Sequence, residues 1–203
     1  MHSYNIIESG KSLSKAKKAL ILLHGRGATA HDILGLAHEF VDDSFYIVAP
    51  QATNNTWYPN SFMADEQANE PWLSSAVAIV KRLIDETSRQ ISNENIYLMG
   101  FSQGACLTLE VAAQYANKYA GIAAFTGGLI GKELNTSKYK GDFEGTKIFI
   151  GNGDKDFHVP LLRCEKSKTI LEKMGADVDL KIYPNRPHTI LSEEVKTVKE
   201  LMF

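Results

Sequence analysis

The chain has 203 residues, 44% hydrophobic and 23% charged, which is typical of one globular domain spanning residues 1–203. Its formal charge of −2 shows no basic surplus, so we expect no nucleic acid partner. No signal-peptide segment and no stretch of roughly 18 apolar residues is present, so we expect a cytoplasmic protein with no membrane span.

Short apolar stretches predict the strands in chain order. YNIIES is predicted to pair antiparallel at a sheet edge, through a turn near Gly10. The core strands are predicted at Lys18–Gly25, Phe45–Pro50, Asn95–Gly100, Ala120–Gly128, Lys147–Asp154 and Val178–Pro184. Several of these strands lack polar alternation, as expected when helices cover both faces of a parallel sheet.

Segments with helical periodicity lie between the strands. From Trp72 to Thr87 the apolar residues form one stripe, and most charged residues lie off it. Further helices are predicted at His31–Val41, Gln103–Asn117, Pro160–Met174 and Thr189–Met202. The polar, lysine-rich segment Leu129–Thr146 is predicted to be a surface loop. This alternation predicts an α/β fold with an open, mostly parallel twisted sheet, right-handed crossovers and helices on both faces.

A G-x-S-x-G pattern, Gly100 to Gly104, lies where a predicted strand becomes a helix. In this context the turn is so sharp that Ser102 takes a strained conformation and its hydroxyl projects from the sheet edge. The alternative is a glycine-rich connection in which Ser102 only caps the helix. We interpret Ser102 as a nucleophile, which requires a histidine to accept its proton and a carboxylate to orient that histidine.

The acid and the base should follow the serine at the ends of later strands. GNGDKDFHVP supplies Asp154 and Asp156, and spacing alone leaves both open as the acid. NRPHTI supplies His188 as the base. Of the other histidines, His24 is predicted to shape a turn, and His158 is too close in sequence to the acid but could line the cleft.

The second oxyanion donor should come from a loop near the first core strand. LLHGRGA places the backbone N–H of Arg26 where it could join that of Gln103 in facing a tetrahedral intermediate. No phosphate-binding glycine motif and no metal-ligand spacing such as H-E-x-x-H is present, so a phosphate site and a metal site are weaker interpretations of this loop. Cys106 and Cys164 are predicted to be buried free thiols.

Six motifs follow one another across nearly the whole chain: LLHGRGA, WYPNSF, GFSQGA, TGGL, DKDFHVP and PHTI. In this order and spacing they resemble the phospholipase/carboxylesterase branch of the α/β-hydrolases, which is similar in fold to acyl-protein thioesterases and small bacterial carboxylesterases. The D-x-x-V-P pattern of this family selects Asp156 over Asp154. The resemblance also implies an oxyanion hole formed by the amides of Arg26 and Gln103, and no metal or organic cofactor.

The resemblance implies a serine hydrolase that cleaves carboxylic esters, thioesters or lysophospholipids, with a small-molecule ester or acyl substrate. The chain departs from the family at Arg26, commonly leucine, and at Thr126, where thioesterase members have S-G-x-L; we therefore expect a small-esterase subgroup rather than a protein depalmitoylase. No large cap domain is expected. The residues predicted to wall the acyl side of the cleft are Trp57, Tyr58, Phe62, Met63 and Leu129.

Three other outcomes stay open from the sequence. A non-catalytic α/β-hydrolase-like binding module would keep the fold without turnover. Hydrolysis of a lactone or of a C–C bond could use the same scaffold. A homodimer is compatible with the sequence but not specified by it.

Overall fold

The computed structural model describes all 203 residues as a seven-stranded sheet flanked by five α-helices. The strands are β1 (Ile6–Gly10), β2 (Lys18–Leu23), β3 (Phe45–Pro50), β4 (Ile96–Phe101), β5 (Gly121–Phe125), β6 (Lys147–Gly153) and β7 (Asp177–Tyr183). The helices are α1 (Ala30–Ala37), α2 (Trp72–Ser88), α3 (Gln103–Gln114), α4 (Leu161–Lys173) and α5 (Ser192–Met202). None of them combines the length and apolar character needed to cross a membrane.

The sheet is mostly parallel, as predicted. Its strand order is β1-β3-β2-β4-β5-β6-β7, and every neighbouring pair from β3 to β7 is parallel. The predicted antiparallel edge strand is present, but it pairs with β3 rather than forming a hairpin with β2: Ile6 lies opposite Pro50 and Gly10 opposite Tyr46. The chain therefore leaves β1 and crosses β3 before it enters the sheet again as β2.

Helices cover both faces of the sheet, which explains the uninterrupted apolar strands. In β2, Ile21 and Leu23 pack into a core with α2, α3 and α4, whereas Leu20 and Leu22 pack into a second core with α1 and α5. All four side chains are buried. Each core strand thus contributes apolar residues to two cores. No large cap covers the carboxyl edge of the sheet.

The segment 129–146 differs from the predicted surface loop. It contains no regular element except one short 3-10 turn, yet Ile130 and Phe143 are fully buried. The carboxylate of Glu110, on α3, accepts the N–H of Ile130 at 3.0 Å and pairs with Lys138 at 2.7 Å. The lysines suggested exposure, but the apolar residues between them anchor the segment against α3.

Candidate active site

Ser102 is the single residue between β4 and α3. Its backbone has φ 55° and ψ −119°, a conformation that residues with side chains rarely adopt. Such a residue carries roughly 1–3 kcal/mol of strain and persists only where its surroundings impose it. The Ser102 N–H donates to Phe125 O at the end of β5 (2.9 Å), which fixes the turn against the neighbouring strand.

The two glycines of the motif allow the close approach that this turn requires. A Cβ on Gly104 would collide with the carbonyl oxygen of Leu23, on β2. A Cβ on Gly100 would collide with the carbonyl oxygen of Gly104 itself. Helix α3 therefore starts directly over β2 and β4 only because both positions lack a side chain.

Ser102, His188 and Asp156 form a continuous hydrogen-bonded chain. Ser102 Oγ lies 2.7 Å from His188 Nε2, and His188 Nδ1 lies 2.7 Å from Asp156 Oδ2. The three residues come from the ends of β4, β7 and β6, which meet at one edge of the sheet. Asp154 lies elsewhere: its side chain is exposed, and its backbone N–H donates to Tyr183 O at 3.1 Å.

The carboxylate of Asp156 is held on both of its oxygens. Oδ1 accepts the backbone N–H groups of His158 and Val159 at 2.8 and 3.0 Å, while Oδ2 faces the imidazole. The side chain is fully buried. Because the two N–H groups select one orientation, Oδ2 can accept only from His188 Nδ1–H, which leaves Nε2 free to accept the Ser102 proton.

Two backbone N–H groups border the same cleft. The N–H of Arg26 has no acceptor within the protein, and Gln103 begins α3, where a helix leaves its N–H groups unpaired. The Gln103 side chain is fixed: Oε1 accepts the Trp57 N–H at 2.9 Å and Nε2 donates to Tyr58 O at 2.8 Å. Such paired donors can stabilise an oxyanion.

The Arg26 side chain lies across the wall of the cleft. Nη1 donates to Pro59 O at 2.9 Å and Nη2 to Asn60 O at 2.6 Å. The guanidinium group therefore ties the loop that carries the proposed oxyanion donor to the segment that follows Tyr58.

The cleft has a volume of about 550 Å³ and opens above Ser102. Its walls include Tyr58 and Phe62, both predicted to bind substrate. Trp57, Met63 and Leu129, predicted in the same way, do not belong to its lining. The indole N–H of Trp57 donates to His24 O at 2.9 Å, so this ring supports the loop from behind. We correct the prediction for these three residues: Trp57 and Leu129 belong to the core beside the cleft, and Met63 packs against that core.

Two other histidines belong to loops that border the cleft. His158 lines the cleft with its ring centroid 4.8 Å from that of His188. His24 is buried, and its Nε2 accepts the N–H of Ala52 at 3.1 Å, so Nδ1–H donates to Gly25 O at 2.8 Å. Burial lowers the pKa of His24, which favours this neutral form. The geometry fits a residue that shapes the turn.

Comparison with known proteins identifies the family. A family model for phospholipases and carboxylesterases matches residues 2–202. The chain belongs to the phospholipase/carboxylesterase family. The resemblance predicted from the six motifs is thereby confirmed.

One solved structure and two sequence relatives are similar to this phospholipase/carboxylesterase chain. The crystal structure of a phospholipase/carboxylesterase from Dyadobacter fermentans is similar with 53% identity and a TM-score of 0.97, over 99% of this chain and 97% of that chain. Acyl-protein thioesterase 1 of Kluyveromyces lactis is 26% identical over 98% of this chain and 96% of its own length. A probable SOBER1-like carboxylesterase of Arabidopsis thaliana is 31% identical over 66% of this chain. The matched part spans about half (51%) of that relative's length. These names are consistent with a carboxylesterase-type hydrolase.

Sequence reasoning missed some residues that line the cleft of this family member. Cys106 was predicted only as a buried thiol, yet it contributes to the wall. It lies four residues after Ser102 on α3, so helical periodicity alone could have placed both on one face. Burial raises the pKa of Cys106 to about 12, which keeps the thiol protonated. No group of three or more His, Cys, Asp or Glu residues is arranged to hold a metal ion.

Proposed function

We propose that this chain is a serine esterase that cleaves a small-molecule carboxylic ester through an acyl-enzyme intermediate. The observation that carries the proposal is the chain of two hydrogen bonds from Ser102 through His188 to Asp156, at the base of an open cleft. A serine that only capped a helix would need neither the histidine nor the carboxylate. The presence of all three residues, Ser102, His188 and Asp156, in one hydrogen-bonded chain also argues against a non-catalytic binding module.

In the acylation step, Ser102 Oγ attacks the ester carbonyl as His188 Nε2 takes its proton. The charge that develops on the carbonyl oxygen is stabilised by the N–H groups of Arg26 and Gln103. The C–O bond then breaks, and the alcohol leaves with the proton from His188. Asp156 stabilises the imidazolium while it exists, without itself becoming protonated.

Deacylation repeats the same steps with water. His188 Nε2 accepts a proton from the water as its oxygen attacks the acyl carbonyl, and returns that proton to Ser102 Oγ as the ester bond to the serine breaks. The products are a carboxylic acid and the free enzyme. Atoms and protons balance without a further reactant.

A thioester is the second candidate substrate, because it offers Ser102 the same carbonyl with a better leaving group. The relative from Kluyveromyces lactis is named an acyl-protein thioesterase. The cleft is bordered by Tyr58 and Phe62 and is not closed by a large cap, so it suits a small or extended acyl group. A panel of p-nitrophenyl esters and acyl-thioesters of increasing chain length measures the preference.

A fluorophosphonate probe tests the nucleophile directly. Phosphonylation needs what acylation needs, an activated oxygen facing oxyanion donors, so we expect one label per native chain, at Ser102. Labelling should disappear in Ser102→Ala and in heat-denatured protein, and nearly disappear in His188→Ala. Mass spectrometry of the labelled peptide locates the site. A folded wild-type protein that takes up no label would contradict the proposal and favour a binding module.

Further expectations concern the protein as a whole. A cytoplasmic location, a single-domain organisation and no nucleic acid partner are predictions from the sequence, which leaves a homodimer open. Light scattering after size-exclusion chromatography measures the oligomeric state.

A further inference from the structure

The segment that carries His188, residues 184–191, has no helix or strand of its own. Arg186 is the only residue of this segment that is buried, with 2% of its surface exposed. A loop that must present an imidazole within 0.5 Å or so of its working position needs support from outside itself. Arg186 is the residue through which such support can act.

The partner of Arg186 is Glu194, in the first turn of α5 and fully buried. Its Oε2 receives Arg186 Nη1–H and also the backbone N–H of Leu191, at 3.1 Å for the latter. One carboxylate therefore holds the segment at two points, two residues before His188 and three residues after it.

The same pair faces the strand that leads to the acid. Arg186 O accepts the N–H of Lys155 at 3.2 Å, and a Cβ on Gly153 would collide with that oxygen. A Cβ on Gly151 would collide with Glu194 Oε1. The two glycines of β6 thus leave room for the ion pair. The pair lies between the loop that carries His188 and the loop that carries Asp156.

Stability alone is a weak reason for this arrangement. Buried ion pairs are often no more stabilising than apolar residues of the same volume. Here Arg186 Nε and Nη2 and Glu194 Oε1 have no hydrogen-bond partner in the protein, so the charges are incompletely compensated. What the pair provides is a defined geometry at both ends of the His188 segment.

We propose that Arg186 and Glu194 are positioning residues that hold His188 between Ser102 and Asp156. This role rests on the proposed function, but the position of the His188 imidazole can be tested without measuring turnover. If the ion pair is removed, the imidazole is no longer held at hydrogen-bonding distance from Ser102 and Asp156. A displacement of about 1 Å can lower a rate roughly a hundredfold.

The test removes both charges at once, in the double variant Arg186→Met/Glu194→Gln. No unpaired buried charge remains, and the glutamine oxygen can still accept the Leu191 N–H. We expect kcat for a p-nitrophenyl ester to fall by about a hundredfold with KM changed less than threefold. The rate of fluorophosphonate labelling should fall by a similar factor. Circular dichroism and thermal unfolding check the fold.

The matched control is Lys138→Met/Glu110→Gln, which also removes both charges, from another ion pair whose carboxylate is fully buried. It should lose stability but keep kcat within threefold. The single variant Arg186→Lys keeps a cation beside Glu194 and should recover most of the lost kcat. If the double variant does not fold, Arg186→Lys takes its place: its kcat should still lie severalfold below that of the wild type, because the planar fork is lost, and a folded Arg186→Lys enzyme with wild-type kcat would overturn the positioning role.

A proton NMR spectrum separates this inference from the proposed function. The His188 Nδ1 proton that bridges to Asp156 should give a far-downfield resonance in the wild type and in the control pair, and should be lost in Arg186→Met/Glu194→Gln. A wild type without esterase activity would contradict the proposed function and leave this measurement intact. A folded double variant with unchanged kcat and resonance, or an equal loss of kcat in the control, would overturn the positioning role.

Discussion

The hydrogen bonds of Asp156 predict the result of replacing it by asparagine. Oδ1 faces two backbone N–H groups, of His158 and Val159, so in Asp156→Asn the amide oxygen must occupy that position. The opposite orientation would turn an NH₂ group toward two donors and lose two hydrogen bonds, about 1–3 kcal/mol in all. The NH₂ group therefore replaces Oδ2 and faces His188.

An NH₂ group can only donate, so His188 Nδ1 must then become an acceptor. Its proton moves to Nε2, which lies 2.7 Å from Ser102 Oγ and can no longer accept the serine proton. A triad locked in this tautomer loses about 10⁴ in kcat, or roughly 5.4 kcal/mol of barrier. KM should change little, because Asp156 does not line the cleft.

The assay is hydrolysis of p-nitrophenyl acetate at pH 7, with thermal unfolding as a check of the fold. Asp154→Asn is the matched control, because it makes the same chemical change two residues away on an exposed side chain. It should keep kcat within about threefold, as surface changes of this kind do. An Asp156→Asn enzyme within tenfold of wild type, or a large loss in Asp154→Asn, would contradict the role of Asp156 in setting the His188 tautomer.

Three further predictions follow from individual groups. Arg26→Leu should keep kcat within roughly tenfold, because the proposed donor is the backbone N–H; a hundredfold loss in a folded variant would instead give the guanidinium group a role in catalysis. The kcat/KM should rise as the pH increases from the acidic side, since only the unprotonated imidazole can accept the serine proton, and a flat profile would count against a histidine base. Burial raises the pKa of Cys106 and of Cys164 to about 12, so neither thiol should react with a disulfide reagent at pH 8 until guanidinium unfolds the chain; rapid native labelling would contradict their burial.

The inner strands were predictable from sequence because both of their faces are buried, but the carboxyl ends of β2 and β5 were not. The prediction extended β2 to Gly25 and β5 to Gly128, whereas they end at Leu23 and Phe125. At Thr126 the backbone turns to φ 56° and leaves the sheet. The residues just past these two points, His24-Gly25 and Thr126-Gly127-Gly128, stay buried although they are no longer part of either strand, so the sequence pattern could not show where the backbone leaves the sheet.

The helix ends show the same limit. Helix α5 was predicted from Thr189 but begins at Ser192, since the residues between them belong to the His188 segment. Helix α1 was predicted to reach Val41 but ends at Ala37. In the loops, aromatic character could not separate Tyr58, which lines the cleft, from its neighbour Trp57, which does not. Which side of a loop faces solvent depends on contacts with distant strands.

The three residues of the triad differ in how far away their supports lie, and this explains what the motifs revealed. Ser102 depends on glycines two residues to either side, and the Asp156 carboxylate on N–H groups two and three residues later. Both supports are local, so short patterns such as G-x-S-x-G and D-x-x-V-P contain them. The proposed support of His188 is a carboxylate six residues later, on a helix, reached through a side chain two residues earlier. Because no short pattern spans that arrangement, the sequence predicted the histidine but not the pair that would hold it.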